Sequence, residues 1–497
     1  MSKDLPPHPS LEHLKKQAKA LLSDFERGDP EAAGKFRSLG LPNPRLSDAQ
    51  HLIAREYGFT SWAKLKEHVE AAPVETGDPA QLFKDAISAD DADALGRLLE
   101  RYPQYRSKIN EPVFSFDCPA ILHAAGRGHR RVVDFLLREG ADINARSRWW
   151  AGSFGVLDSC DPEMASFLIE RGAVVDVHAA SRLGMMDKLK ELVSANPDLV
   201  HARGGDGQTP LHFAATVEIA GYLLDQGADI DARDIDHESA AAQYMVDSRQ
   251  EIVRYLIGRG AKTDILMAAA IGDEALVRKH LDADPEAIRM AVNERCFPKR
   301  NPKSGGTIYT WTLGGNRTAH QVARKFGHAE VFELLMDQSP ADVKLTNAFS
   351  TGDGATARAL LAEHPNLIES LSDESRHQIA DAAESNNTQT VRLMLELGWP
   401  VDGGSKETPL HWAAWHGNAE MTRVILSFHP PLERPDPEFN ARPLGWATHG
   451  SEHGWNCKTG NYAAVVEELL KAGAERPKKA EGTEAVREVL RRYGVTG

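Results

Sequence analysis

Several large protein classes are excluded by what this sequence lacks. It has only four cysteines, Cys118, Cys160, Cys296 and Cys457, widely scattered and with no CxxC pair. That leaves no disulfide framework and none of the usual structural zinc spacings, and it points to reduced thiols in a cytoplasmic protein. No run approaches the ~20 consecutive apolar residues that a bilayer demands, so no membrane partner is expected. The start, MSKDLPPHPSLEHLKKQAK, lacks the apolar core of a secretory signal. Positive charge is outnumbered, 58 Lys and Arg against 72 Asp and Glu, for a net charge of −14. An acidic surface repels phosphate backbones, which argues against nucleic acid as a partner. The nearest basic stretch, Arg295, Lys299, Arg300, Lys303 and Arg317, reads as a solvated loop. GGDGQT and GGNRT lack the spacings of phosphate-binding loops and read as turns before a capping threonine, so no nucleotide cofactor is expected.

What the sequence does have is a period. A glycine-alanine pair follows a double-aliphatic run in FLLREGADINAR (135–146), FLIERGAVVDVH (167–178), YLLDQGADIDAR (222–233), YLIGRGAKTDIL (255–266) and ELLKAGAERPKK (468–479). Gly140 to Gly172 is 32 residues, and Gly227 to Gly260 is 33. TPLHFAA (209–215) and TPLHWAA (408–414) lie upstream, with weaker relatives at 119–129 and 318–328. Thr209 and Thr408 stand where a hydroxyl caps a helix, and Pro210 and Pro409 fill the first helical position, where no N–H is needed. Paired alanines allow inner helices to approach closely, and the recurring glycines suit a left-handed cap. A second kind of unit ends in proline, as in LLERYPQ (98–104), LVSANPD (192–198), HLDADPE (280–286) and LLAEHPN (360–366).

These motifs resemble the ankyrin-repeat family, in a multi-repeat, bacterial-type form, and the resemblance covers nearly everything after residue 79. It implies an all-α solenoid of helix–turn–helix units with short β-hairpin fingers. Residues 1–78 read as a cap of three helices, 79–475 as an array of about twelve units, and 476–497 as a C-terminal capping helix. Caps are needed because the end units of an array otherwise expose an apolar face.

The family binds through a concave side made by fingers and inner helices, so residues that break the repeat there are site candidates. The last full repeat carries about ten extra residues, 449–460, with His449, Glu452, His453, Trp455, Cys457 and Lys458. The preceding TPLHWAAWHGN sets Trp415 and His416 at groove positions, and stacking is expected to join them to Trp446, His449 and the insertion. An enlarged finger, FPKRNPKSGGTIYTWTLGGNR (297–317), alternates β-branched and aromatic residues between glycine pairs. It reads as a hairpin strand that projects Tyr309 and Trp311 over the groove. A third break sets Trp149 and Trp150 on a finger and Asp158 at the end of an inner helix. In a fourth, His237 replaces the finger glycine and Glu238 precedes a capping Ser239.

The binding candidates are therefore Trp149, Trp150, Tyr309, Trp311, Trp415, His416, Trp446, His449, His453 and Trp455. For catalysis the candidates are Asp158, Glu238, Glu407, His416, His449 and Cys457. Two carboxylates at separations of about 5–10 Å hydrolyse glycosides, and tryptophans stack on sugars; Glu384 joins this carboxylate set. Cys457 with His449 or His453 would make a nucleophile pair, without any local signature. HGSEH (449–453) has metal-ligand spacing only on a helix, and Gly450 and Gly454 argue against one, so no metal is expected. His212, His411, His129 and His328 read as structural, and His320, at the motif's leucine position, as buried. The reading favoured is a non-catalytic module that binds a partner protein in the groove. The alternative is a hydrolase acting on a small molecule or oligosaccharide near the C-terminal repeats, glycosidic bonds included.

Overall fold

A computed structural model describes residues 11–37, 44–70, 78–404 and 407–496. The chain divides into two compact units, residues 1–148 with 154–174, and residues 149–153 with 175–497. The division falls inside the repeat array and not at residue 78.

In the first unit, helices Leu11–Glu26, Pro30–Arg37, Leu46–Glu56 and Trp62–Glu70 surround Leu14, Phe36, Ile53 and Leu65. There is one helix more than the three expected, because Phe36 gives the short Pro30–Arg37 segment an apolar anchor, fully buried. Helix pairs follow, such as Ala120–Gly126 with Arg130–Arg138. Asparagines tie the units together. Asn110 donates to the carbonyl of Gly140 at 3.1 Å and accepts from the N–H of Asp142 at 2.9 Å. Asn144 repeats this one unit later, with Gly172 and Val174.

The second unit stacks inner helices that include Val177–Arg182, Ile265–Ile271, Ala319–Lys325, Gln378–Glu384, Pro409–Trp415 and Pro443–His453. One core runs from Val177 to Leu335 and another from Leu345 to Val495. Every residue of Ile265–Ile271 is buried, and Ala268, Ala269 and Ala270 are completely so, as close helix approach requires. At Pro210–Phe213 the inner helix shrinks to a single 3₁₀ turn.

The TPLH histidines work as ties. The N–H of Thr209 donates to Nδ1 of His212 at 3.1 Å, and His212 Nε2–H donates to the carbonyl of Ser239 at 3.1 Å, one finger further on. Thr408, His411 and Ala441 repeat the arrangement. Gly140, Gly172, Gly227, Gly260 and Gly473 have φ between +94° and +101°, the left-handed cap expected of them. His320 is fully buried, with Nε2 at 2.8 Å from Ser339 Oγ, and burial pushes its pKa down to about 4.

The enlarged finger departs from expectation. Among the described residues it holds no strand; Thr310–Gly314 is a π-type helical turn. Alternation there is a by-product of a turn that buries Thr312 and Leu313 and leaves Trp311 outside. Tyr309 does not project over a groove. It is fully buried, and its hydroxyl donates to Oδ2 of half-buried Asp264 at 3.0 Å.

Candidate functional site

The C-terminal repeats bring four indoles together. Helix Pro443–His453 lies against Pro409–Trp415, and Tyr462 packs behind both, its hydroxyl donating to the carbonyl of Trp415 at 2.8 Å. A Cβ on Gly450 would stand 3.1 Å from that carbonyl and 3.2 Å from the Tyr462 ring. Gly450 is therefore a close-approach residue inside the helix, correcting the expectation that it breaks the helix; Gly454 ends it. His449 and His453 consequently lie one turn apart, with ring centroids 4.6 Å from each other.

Trp446 meets Trp412 edge-on at 5.2 Å and Trp415 at 5.8 Å. Trp455, from the insertion, stacks on Trp412 at 5.9 Å and meets Trp415 edge-on at 6.2 Å. Trp455 is 64% exposed. Trp415 also stacks on His449 at 6.1 Å, and its indole N–H is buried without a hydrogen bond. Trp446 donates to Asp436 Oδ2 at 3.0 Å, which fixes its ring. Trp412 was passed over as a motif position. The signal for it is that it precedes Trp415 by three residues and so shares its helix face.

His416 does not serve as a free base or ligand. It is buried, Nε2–H donates to the carbonyl of Glu384 at 2.7 Å, and Nδ1 accepts from Asn456 at 2.9 Å. The ring instead pins the insertion to the neighbouring inner helix. Among the described residues, His449, His453 and Cys457 do not converge into a three-ligand metal group.

The carboxylate candidates are held by backbone. Asp158 is buried, accepts from the N–H of Gly155 at 2.7 Å and lies 3.8 Å from Arg146. Glu238, at φ +49°, accepts from the N–H groups of Arg300 at 3.0 Å and Asn301 at 2.8 Å. Both anchor loops. Glu407 lies near Glu384, whose pKa is raised by burial and by the charges of Asp381 and Glu407.

A second polar centre forms where the enlarged finger folds back on the 234–240 finger. Asp206, Asp236 and His237 present ligand atoms that all lie within 4.8 Å of one another. Burial pushes Asp206 up to about 6, with Asp236 and Asp234 adding to the shift and His237 opposing it. Trp149 stands beside Asp206 and meets Trp150 edge-on at 6.1 Å, while Trp311 lies 4.7 Å from the His237 ring. His237 also borders a cavity of about 430 Å³, lined by Arg233, Lys262, Lys299, Arg300, Asp231 and Glu238 among others. The sequence reading missed Asp206, Asp234 and Asp236. Their available signal was the spacing, since Asp206 and Asp236 are 30 residues apart, about one repeat.

Known proteins share these repeats. Family profiles described as ankyrin repeats match residues 119–148, 177–267 and 379–426. Palmitoyltransferase Hip14 of Drosophila melanogaster is 32% identical over 137 residues, 27% of this chain and 20% of that protein. Ankyrin repeat and SAM domain-containing protein 6 of Mus musculus is 32% identical over 124 residues, 24% of this chain and 14% of that protein. The matches thus span 20% and 14% of these relatives' own lengths. Among solved structures, the human ASB11 ankyrin repeat domain aligns with 61% of this chain and 99% of that one, at 17% identity and a TM-score of 0.25. The TPLH ties, the left-handed glycine caps, the stacked helix pairs and the three profile matches agree: this is an ankyrin-repeat protein, with repeats matched at residues 119–148, 177–267 and 379–426.

Proposed function

We propose that the chain is a non-catalytic recognition module whose C-terminal tryptophan cluster anchors a partner protein. Ankyrin repeats indicate a protein-interaction module, and the finer reading adds where the partner docks. One observation carries it: Trp412, Trp415, Trp446 and Trp455, from two helices and an insertion, meet on one surface with Trp455 64% exposed. Rigid aromatic anchors of this kind dominate the energy of protein interfaces. His449 and His453 border the cluster and supply polar contacts at its rim. The hydrolase alternative gains no support, since Asp158 and Glu238 are engaged by backbone N–H groups. The proposal includes a cytoplasmic location, on the ground of four free thiols. It also gives capping roles to the N-terminal helices and to Glu484–Arg492, whose Val486, Val489 and Leu490 are buried.

The test is affinity capture from the source cells, identification of the retained protein, and titration of the purified pair. Trp455→Ala should weaken binding by about 30-fold, equivalent to about 2 kcal/mol, with the melting temperature unchanged. Equal affinity of wild type and Trp455→Ala would move the interface elsewhere.

A further inference from the structure

We propose that Asp206, Asp236 and His237 bind a transition-metal dication of the zinc class, which clips the enlarged finger to the two fingers before it. This is independent of the tryptophan cluster and sets aside the expectation of no metal. Nε2 of His237 lies 4.0 Å from Asp206 Oδ2 and 3.7 Å from Asp236 Oδ2. The other ring nitrogen is engaged, as Nδ1–H donates to the carbonyl of Gly306 at 3.1 Å. That bond fixes the tautomer of the neutral ring and turns the Nε2 lone pair toward two carboxylates, the usual outer-shell arrangement of a metal-binding histidine.

Without a cation, three sets of lone pairs face one another in a nearly dry corner. The side chains of Asp206, Asp236 and His237 are only 15%, 8% and 12% exposed. Oδ1 of Asp206 is buried and makes no hydrogen bond, whereas Oδ1 of Asp236 is oriented by the N–H of Gly305 at 3.1 Å. Among the described residues neither carboxylate has a lysine or arginine ion-pair partner, and His237 is the ionisable side chain paired with both. A third carboxylate, Asp234, deepens the negative potential but is fully engaged. It accepts from the N–H groups of His237 and Ser239, both at 2.7 Å, and from the Tyr244 hydroxyl at 2.8 Å. The Trp149 indole also stands beside Asp206 and lowers its pKa, and a dication satisfies the lone pairs that still face one another.

The donor set selects the class of ion. One imidazole nitrogen with two carboxylate oxygens suits zinc, manganese or iron(II), whereas calcium prefers six to eight oxygens and magnesium near-ideal octahedral oxygen sites. For ligand bonds of about 2.1 Å, the present separations require only a small inward closure of the side chains. The ligands come from the Gly205–Gly207 turn and from the 234–240 finger, and both His237 and Asp236 are held by the enlarged finger through Gly306 and Gly305. Ion binding therefore fastens three chain segments at once.

The experiment uses the full-length chain, stripped with chelator and dialysed. Zn²⁺, Mn²⁺ and Mg²⁺ are titrated separately by calorimetry, and trypsin cleavage at Lys299 and Lys303 is followed with and without Zn²⁺. We expect one Zn²⁺ per chain at micromolar affinity or tighter, weaker Mn²⁺, no Mg²⁺ at those concentrations, and slower cleavage when Zn²⁺ is bound. Asp206→Asn and His237→Gln should each weaken Zn²⁺ binding at least 100-fold. Asp206→Asn preserves shape, and asparagine tolerates the φ of +54° at that position, so it serves if His237→Gln does not fold. The double variant His449→Ala/His453→Ala should bind Zn²⁺ like wild type. Absence of Zn²⁺ binding, binding unchanged in Asp206→Asn, or binding lost only in the His449/His453 variant would each overturn the proposal.

Discussion

Replacing His320 with leucine should make the protein more resistant to acid, by an amount that the structure fixes. His320 is completely buried, and burial lowers its pKa from 6.5 to about 4. Ser339 Oγ–H donates to the carbonyl of Leu335 at 2.7 Å, so the serine oxygen accepts from His320 Nε2–H at 2.8 Å. Nδ1 of His320 is then a bare acceptor, buried and unpaired. At pH 7.5 the ring is neutral in folded and unfolded chains alike, and its titration contributes nothing. Below pH 6.5 the unfolded chain binds a proton that the folded ring refuses, so stability falls until about pH 4, where the loss levels off. At pH 5 the loss covers 1.5 pH units, about 2 kcal/mol. His320→Leu abolishes it. At pH 7.5 the variant loses one hydrogen bond worth about 1 kcal/mol but also removes an unpaired acceptor costing about 1–3 kcal/mol, so the two proteins should differ little. Buried His212, also lowered to about 4, destabilises in the same direction, whereas Asp206, raised to about 6, takes up a proton on the folded side and opposes it. Both are common to wild type and variant and cancel in the comparison. Urea titrations followed by circular dichroism at pH 7.5 and pH 5.0 give the double difference. A value under about 0.5 kcal/mol would refute the reasoning, because it would mean that the folded ring accepts its proton as readily as the unfolded one.

Three further outcomes are expected. Gly272→Ala should cost more than about 2 kcal/mol, since at φ +69° its Cβ would stand 2.4 Å from His328 Nδ1, whereas Gly140→Ala, with open space around it, should cost about 1 kcal/mol of backbone strain; thermal melts of the pair separate the two effects. Tyr309→Phe leaves half-buried Asp264 without its hydroxyl donor and should destabilise by about 1–3 kcal/mol in a denaturant titration. Glu238→Ala frees the N–H groups of Arg300 and Asn301, and trypsin should then cut after Arg300 several-fold faster at unchanged global stability.

The repeat units were legible because each carries local chemistry that acts within its own period. Thr209 and His212 cap a turn four residues long, and Gly140 or Gly260 ends a helix whatever the neighbouring unit contains. Glycine misled where its reason was not local. Gly450 reads as a helix break in sequence, yet it is glycine because Trp415 and Tyr462 approach it from elsewhere in the chain. TIYTWTL misled in another way, since period-two alternation takes no account of Asp264, the distant residue that draws the Tyr309 hydroxyl inward. Within the candidate sites, tryptophans stood out as rare residues, but whether His416 was free depended on the carbonyl of Glu384, 32 residues away. The Asp206–Asp236–His237 group was hidden for the same reason, as single acidic residues on fingers look like ordinary solvated turns until the stacking register brings them together.

The folded-back finger changes how this array comes apart. Ordinary ties between units here, such as Asn110 to Asp142 or Asp231 to Lys262, span 32 and 31 residues, so each unit answers only to its neighbours. The bonds from Glu238 to Arg300, Asp236 to Gly305 and Ser239 to Ile308 span 62 to 69 residues and skip a unit. A chain with only nearest-neighbour coupling unravels unit by unit, like a zipper. A second-neighbour bond locks three units into one block, which must yield as a whole. Pulled from its ends, such a chain would lengthen in small steps except across residues 234–308, where a single larger step would mark the bolt.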